Sequence, residues 1–335
     1  MPRQSRLDAP GVLHHVIIRG IERRKIFWDS ADQQSFVDRL AVLIPETQTC
    51  CYAWVLMTNH AHFLFRSGPQ GISTLMRRLL TGYAVSFNRR HNRYGQLFQN
   101  RYKSIICQED AYLKELIRYI HLNPIRAKMV GDLKALGQYP FCGHGVLAGY
   151  WKQSWQDDGY ALTFFADSLS LARKRYLSYV EAGLDQGRRP ELVGGGLIRS
   201  LGGWEEVKKN RQQKMGRIKG DQRILGDSDF VASMLNQARQ TYERGYQLKA
   251  KGVDLDYIAA KAAKIYGIER EDIFAKGRMK TRAEARGLLC YWATRELNIP
   301  LSDLAVKLAM TPSGVSYAAR RGEAIVRENN LRLTE

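Results

Sequence analysis

A chain of 335 residues with 44% apolar side chains is long enough for two or three domains with real cores, so disorder is not its main feature. Its 52 Lys and Arg against 33 Asp and Glu leave +19, and residues 1–130 hold +10 of it, from 19 basic and 9 acidic side chains, which points to a polyanion as partner. The five cysteines form no Cys-x-x-Cys pair, the start Met-Pro-Arg-Gln-Ser-Arg lacks a signal peptide's apolar core, and no apolar run approaches a membrane span; a soluble, cytoplasmic protein is expected.

In chain order, Val12 to Ile18 reads as a strand and Asp32 to Ile44 as a helix ending at Pro45. A strand from about Thr47 to Met57, a turn at Thr58-Asn59 and a second strand through His60-Ala61-His62-Phe63-Leu64-Phe65 read as a hairpin. Alternation along that strand sends His60 and His62 to one face and Ala61, Phe63 and Phe65 to the other. Two imidazoles on one face can begin a metal site, although a lone His-x-His more often marks ordinary polar residues on a half-buried strand.

Ser73 is placed to cap a helix whose stripe is Leu75, Met76, Leu79, Leu80, Tyr83, Ala84 and Phe87, with Arg77, Arg78, Arg89 and Arg90 off the stripe or at its end. Ser104 to Cys107 reads as a fourth strand, with Arg101 and Lys103 available to phosphates. The order strand, helix, strand, strand, helix, strand predicts an α+β fold with a ferredoxin-like antiparallel sheet. A helix from Ala111 to Leu122 follows, on which Tyr119 and Asn123 share one flank, one turn apart, while His121 faces nearly the opposite way. An amide oxygen from Asn123 could complete a metal site begun by two histidines. Alternatively Tyr119 is an interfacial aromatic, and Asn123 a helix stop before Pro124.

Residues 131–250 read as a mostly helical connecting region: a helix from Ala161 to Leu184, a break at Gly194-Gly-Gly196, and a basic stretch from Lys208 to Arg223, read as a linker. Residues 251–335 read as an all-α domain with helices at Tyr257 to Tyr266, Thr281 to Leu297 and Leu301 to Leu308, then a turn at Ala309-Met310. Thr311 caps a last helix with Pro312 at its first position, a helix-turn-helix pattern in which Ser313, Ser316, Tyr317, Arg320 and Arg321 would face DNA.

Three ordered segments, Met57-Thr-Asn-His-Ala-His62, Gly95-Gln-Leu-Phe-Gln-Asn-Arg-Tyr-Lys103 and Arg118-Tyr-Ile-His-Leu-Asn-Pro124, resemble the motifs of the HUH (His-hydrophobic-His) single-tyrosine transposases. Within that family they are most similar to the transposases associated with repetitive extragenic palindromes (REP). The resemblance covers about residues 1–130 and implies Tyr119 as nucleophile, His60, His62 and Asn123 as metal ligands, and magnesium or manganese as the ion. It implies cutting and rejoining of single-stranded hairpin DNA through a covalent 5′-phosphotyrosine, by a monomer of bacterial, nucleoid-associated location. No general base is assigned; His14 and His15 are the histidines that could lie near. Arg223 to Val231 resembles a segment of the larger family members, and residues 251–335 resemble the DNA-binding domain of the DnaA-type replication initiator, which implies added duplex-DNA affinity. Thr311-Pro-Ser-Gly-Val315 stands where that domain carries its base-reading motif, so the initiator's target does not transfer. The competing accounts are a DNA-binding regulator whose nuclease centre is idle, and an RNA-binding protein.

Overall fold

Alternation within β1 (Leu13–Arg19) sets the layering of the first unit: Leu13 and Ile17 enter one apolar cluster, Val16 and Ile18 another on the opposite face. The computed structural model describes residues 7–187, 189–194, 220–275, 277, 279–297, 299 and 301–334, apart from the side chains of 239–246, 249, 312 and 313. The chain divides into two units, Met1–Met234 and Leu235–Glu335.

In the first unit β2 (Cys50–Leu56) and β3 (His60–Arg66) form the expected antiparallel hairpin, and β3 and β4 (Lys103–Cys107) pair antiparallel with opposite edges of β1. Helices α1 (Ser30–Thr47) and α2 (Ile72–Arg90) bury Phe36, Leu40, Leu75, Met76, Leu79 and Phe87 against the face bearing Val16, Phe63 and Phe65. Helix α3 (Glu109–His121) buries Leu113, Leu116, Ile117 and Ile120 against the other face, with Leu13, Ile17 and Leu64. The succession of six elements is the expected one, and the fold is α+β. The sheet departs from the expected antiparallel form, because a fifth strand, β5 (Ile224–Leu225), pairs parallel with β4 at its edge and makes the sheet mixed. Two residues carry no readable periodicity, which is why the sequence hides this strand.

Several boundaries also move, for local reasons. Helix α1 continues through Pro45, because a proline in the last turn forfeits one hydrogen bond while Gln48, at φ 50°, closes the end by donating to Ile44 and Pro45 carbonyls. Ser73 does not cap α2; the Asp8 carboxylate, 64 residues earlier, accepts from Ile72 N at 2.7 Å and Ser73 N at 3.0 Å. Gly71 (φ 72°) admits it, since a Cβ there would lie 2.5 Å from Asp8 Oδ1. Asn123 does not stop a helix: α3 ends at His121, and Asn123 opens α4 (Asn123–Arg126). The single helix expected over residues 161–184 is two, α7 (Asp158–Thr163) and α8 (Leu169–Glu181), and the bend between them brings Phe165 edge-on to Tyr176 with ring centroids 5.4 Å apart. With α5 (Leu133–Gly137) and α6 (His144–Ala148), these helices thicken the α3 layer, burying Leu136, Leu147, Ala161 and Val180. Most of the expected glycine break and basic linker, residues 195–219, lies outside the described residues.

Two histidines buried by this packing make the fold acid-sensitive. Burial lowers His14 to about 4, outweighing the Asp8 carboxylate, and lowers His144 to about 4 as well. An unfolded histidine titrates near 6.5, so between those values the unfolded chain binds protons that the folded chain refuses. Stability is therefore complete above about pH 6.5 and falls as pH drops toward 4, by roughly 3 kcal/mol for each group. Urea midpoints at pH 7 and pH 4.5 check this, and equal midpoints would refute it.

The boundary between units falls within α9 (Ser228–Ala250), and every further element is helical: α10 (Leu255–Tyr266), α11 (Arg270–Phe274), α12 (Lys280–Arg295), α13 (Leu301–Lys307) and α14 (Pro312–Glu328). Thr311 caps α14 as expected, accepting from Gly314 N at 3.1 Å. Ile258, Leu288, Leu289, Trp292, Leu304 and Val315 form the core of the second unit. Helices α12 and α14 touch backbone to backbone, and a Cβ on Gly322 would lie 2.0 Å from Gly287 O. No rotamer relieves a clash with backbone, so Gly322→Ala should cost the second unit about 3 kcal/mol despite alanine's better helix propensity, as a lowered urea midpoint. Among the described residues no helix is long and apolar enough to cross a membrane.

Candidate active site

The site forms on the sheet face covered by α3. In register on β1, Ile17 stands opposite His62 and Arg19 opposite His60, so both histidines of β3 lie beside β1 residues of the same face. The ring centroids of His60 and His62 are 5.2 Å apart. Tyr119, presented by the last turn of α3, meets His62 edge-on at 5.7 Å and His15 of β1 at 5.9 Å. The packing therefore brings together His60, His62 and Tyr119, from two stretches nearly sixty residues apart in sequence.

Each side chain is held in a definite state. Burial, with help from the Arg19 charge, lowers His60 to about 4 and His62 well below the usual histidine value, so both rings are neutral at pH 7. Asn59 Nδ2 donates to Arg23 O at 2.9 Å, which turns Asn59 Oδ1 toward His60 Nδ1 at 2.6 Å. An amide oxygen only accepts, so His60 carries its proton on Nδ1 and keeps a lone pair on Nε2. His62 Nδ1 is engaged by His15 Nε2 at 3.0 Å. Asn123 Nδ2 donates to the carbonyls of Tyr119 at 2.8 Å and Ile120 at 3.3 Å, leaving its Oδ1 as an acceptor. Among the described residues, none hydrogen-bonds to His60 Nε2, His62 Nε2 or Asn123 Oδ1. Two neutral imidazoles and one amide oxygen fit a divalent ion of the manganese or magnesium kind. No group of three or more His, Cys, Asp or Glu side chains able to hold a metal occurs among the described residues.

Tyr119 is half-buried, and its phenol accordingly titrates above the usual tyrosine value, although the Arg126 and Arg19 guanidiniums pull it down. The Arg126 guanidinium lies 5.5 Å from the Tyr119 ring centroid. Its hydroxyl bonds to no described residue, so the phenol oxygen is not tied up structurally.

The basic residues expected at DNA are scattered. Lys103 reaches the histidine face, where it donates to Val193 O at 2.5 Å, and Arg101 is exposed just before it. Arg77, Arg78, Arg89 and Arg90 belong to α2, on the opposite face of the sheet from the histidines. Arg78 pairs with Glu46 at 2.5 Å, and Arg90 pairs with Asp29 and Asp32. Ser316, Tyr317, Arg320 and Arg321 stand on α14 of the second unit, where Tyr317 is 66% exposed with Arg321 5.4 Å from its ring centroid; the side chain of Ser313 lies outside the described residues. His121 turns away from the site, as expected, onto the Tyr176 hydroxyl at 2.7 Å. Sequence reasoning missed Arg19, Asn59 and Arg126, and only strand alternation could have indicated Arg19, which shares the parity of His15 and Ile17.

Residues 10–123 match the family model of the IS200-like transposases. The first unit is accordingly an enzyme that nicks and rejoins DNA. The match spans about a third of the chain and ends on Asn123, so it contains both histidines, Tyr119 and the asparagine. No curated protein matches the chain. Among solved structures, a REP-associated tyrosine transposase bound to a REP hairpin is similar at 17% identity, over 47% of this chain and 94% of that one, with a TM-score of 0.36.

Proposed function

We propose that this transposase cleaves and rejoins single-stranded DNA at hairpin sites with Tyr119 as nucleophile and with His60, His62 and Asn123 holding one Mg²⁺ or Mn²⁺. The observation that carries this reading is the meeting of Tyr119 with two neutral histidines whose Nε2 atoms bond to no described residue. The bound ion would supply Lewis-acid polarisation of the scissile phosphate. In the first step Tyr119 Oη bonds to phosphorus, the P–O3′ bond breaks, and the products are a 5′-phosphotyrosine and a free 3′-OH. The phenol proton leaves to solvent as the oxygen attacks, because the hydroxyl bonds to no described residue, and solvent returns a proton to the departing O3′. Attack by a second 3′-OH then expels Tyr119 and rejoins the strand. Arg126, beside the phenol ring, favours the developing phenolate. Lys103 and Arg19 give the face positive charge for the strand's phosphates.

The choice of hairpin DNA rests on the motif resemblance of residues 57–124. The strand order β2-β3-β1-β4 supports a ferredoxin-like reading of the catalytic sheet. In the second unit, the succession α13, turn, Thr311-capped α14, with Tyr317 and Arg321 outward, supports a helix-turn-helix that adds duplex affinity. The test is incubation of the full chain with labelled single-stranded hairpins and Mg²⁺ or Mn²⁺, followed by denaturing gels. A 5′ covalent adduct that disappears in EDTA is expected. Tight binding with no adduct under either metal would instead favour a regulator with an idle centre.

A further inference from the structure

His15 is buried at the back of the site, hydrogen-bonded on both ring nitrogens: Nδ1 lies 2.9 Å from the Leu192 carbonyl oxygen and Nε2 lies 3.0 Å from His62 Nδ1. A carbonyl oxygen only accepts, so His15 carries a proton on Nδ1. The ring is fully buried and no carboxylate among the described residues bonds to it, so it holds that single proton and Nε2 is a lone pair. The contact at 3.0 Å then requires His62 to donate from Nδ1, which leaves the lone pair of His62 on Nε2. We propose that His15, anchored on the Leu192 carbonyl, is a positioning residue that fixes the tautomer and ring orientation in which His62 binds its metal. The inference rests on the metal reading of His60 and His62 given above.

The anchor is built as firmly as the ring it holds. Leu192 belongs to a short 3₁₀ turn, Pro190–Val193, and its side chain is buried in the α3-face cluster. The next carbonyl, that of Val193, accepts from Lys103 Nζ at 2.5 Å. On the other side Arg189 pairs with Glu191 and, at 3.1 Å, with Glu115 of α3, which in turn binds Arg118 at 2.7 Å. The turn is thus tied to β4 and to the helix that carries Tyr119. All of it lies beyond residues 10–123, the stretch that matches the transposase model. A domain cut at the end of that match would keep both histidines and the tyrosine but lose the carbonyl that orients the relay.

The test uses the full chain. Long-range ¹H–¹⁵N correlation of the histidine rings in the metal-free protein should show His15 and His62 both protonated on Nδ1. Mn²⁺ titration followed by EPR of the free ion should show His15→Phe, which fills the space but accepts nothing, weakening the dissociation constant roughly 10- to 100-fold. His15→Gln, which can accept from His62 and donate to Leu192, should recover most of that loss. A His62 ring protonated on Nε2 in the native protein would overturn the relay, as would native Mn²⁺ affinity in a folded His15→Phe chain. Should the phenylalanine variant fail to fold, the tautomers of the native rings decide alone. A native protein that binds no Mn²⁺ would instead sink the metal reading, whatever the tautomers.

Discussion

A Tyr119→Phe chain will bind single-stranded hairpin DNA like the native protein and form no covalent adduct with it. The variant removes one oxygen that bonds to no described residue and keeps the ring, so the contacts with His15, His62 and Arg126 survive. No buried partner is orphaned, and the melting temperature should stay within a degree or two, the scale of a change below about 0.5 kcal/mol. Of the rings that meet Tyr119, His15 is engaged on both nitrogens and His62 bonds to His15, while His121 lies in a separate buried group with Tyr176. Adduct yield should therefore fall by at least about a thousandfold, the scale on which removing a nucleophile acts. Gel-shift affinity alongside denaturing-gel adduct yield measures both halves. Adduct in the variant at native rates would transfer the nucleophile's role to another residue.

Removing either histidine is the second large effect, and the two positions should separate. His60→Ala and His62→Ala each take away a third of the proposed donor set, and each should lower metal-dependent adduct formation by more than roughly a hundredfold, beyond the loss typical of residues that only support a ligand. Their structural costs differ. His62 is 4% exposed and its loss leaves a cavity and strands the lone pair of His15, so His62→Ala should also destabilise the fold by about 2–4 kcal/mol. His60 is less buried and bonds only to its neighbour Asn59, so His60→Ala should melt close to the native protein. A Mn²⁺ dependence of adduct yield, read beside melting curves, tells these apart. Native adduct yield from His60→Ala at low metal would remove that residue from the donor set.

What the sequence made legible was what repeats at short range. Period two placed His60 and His62 on one face, period 3.6 placed the Leu113, Leu116, Ile117, Ile120 stripe against the sheet, and the spacing from Tyr119 to Asn123 is one helical turn. What it concealed was set by distant partners. Asp8 replaces Ser73 as the cap of α2 because a carboxylate arrives from the other end of the unit, and no local pattern announces that. His15 reads as one of two adjacent histidines on a strand; only the sheet register and a carbonyl 177 residues away distinguish it from His14, which turns to Ser104 on the opposite face. The arginines of α2 were legible as an exposed charged face but not as lying on the other side of the sheet from the chemistry, since layer order is a property of the whole sheet.

The split of the proposed donors between β3 and the start of α4 has a mechanical side. Tyr119 and Asn123 move together, because one turn of near-continuous helix separates them and the asparagine amide is bonded back to the tyrosine carbonyl. The histidines move with the sheet. An ion bound by all three ligands is then a rivet through two layers, and it fastens the nucleophile's helix to the strand beneath as it polarises the phosphate. Withdrawing the ion would free the two layers to shear past one another, so the distance from tyrosine to phosphate would become least defined at the moment polarisation is lost.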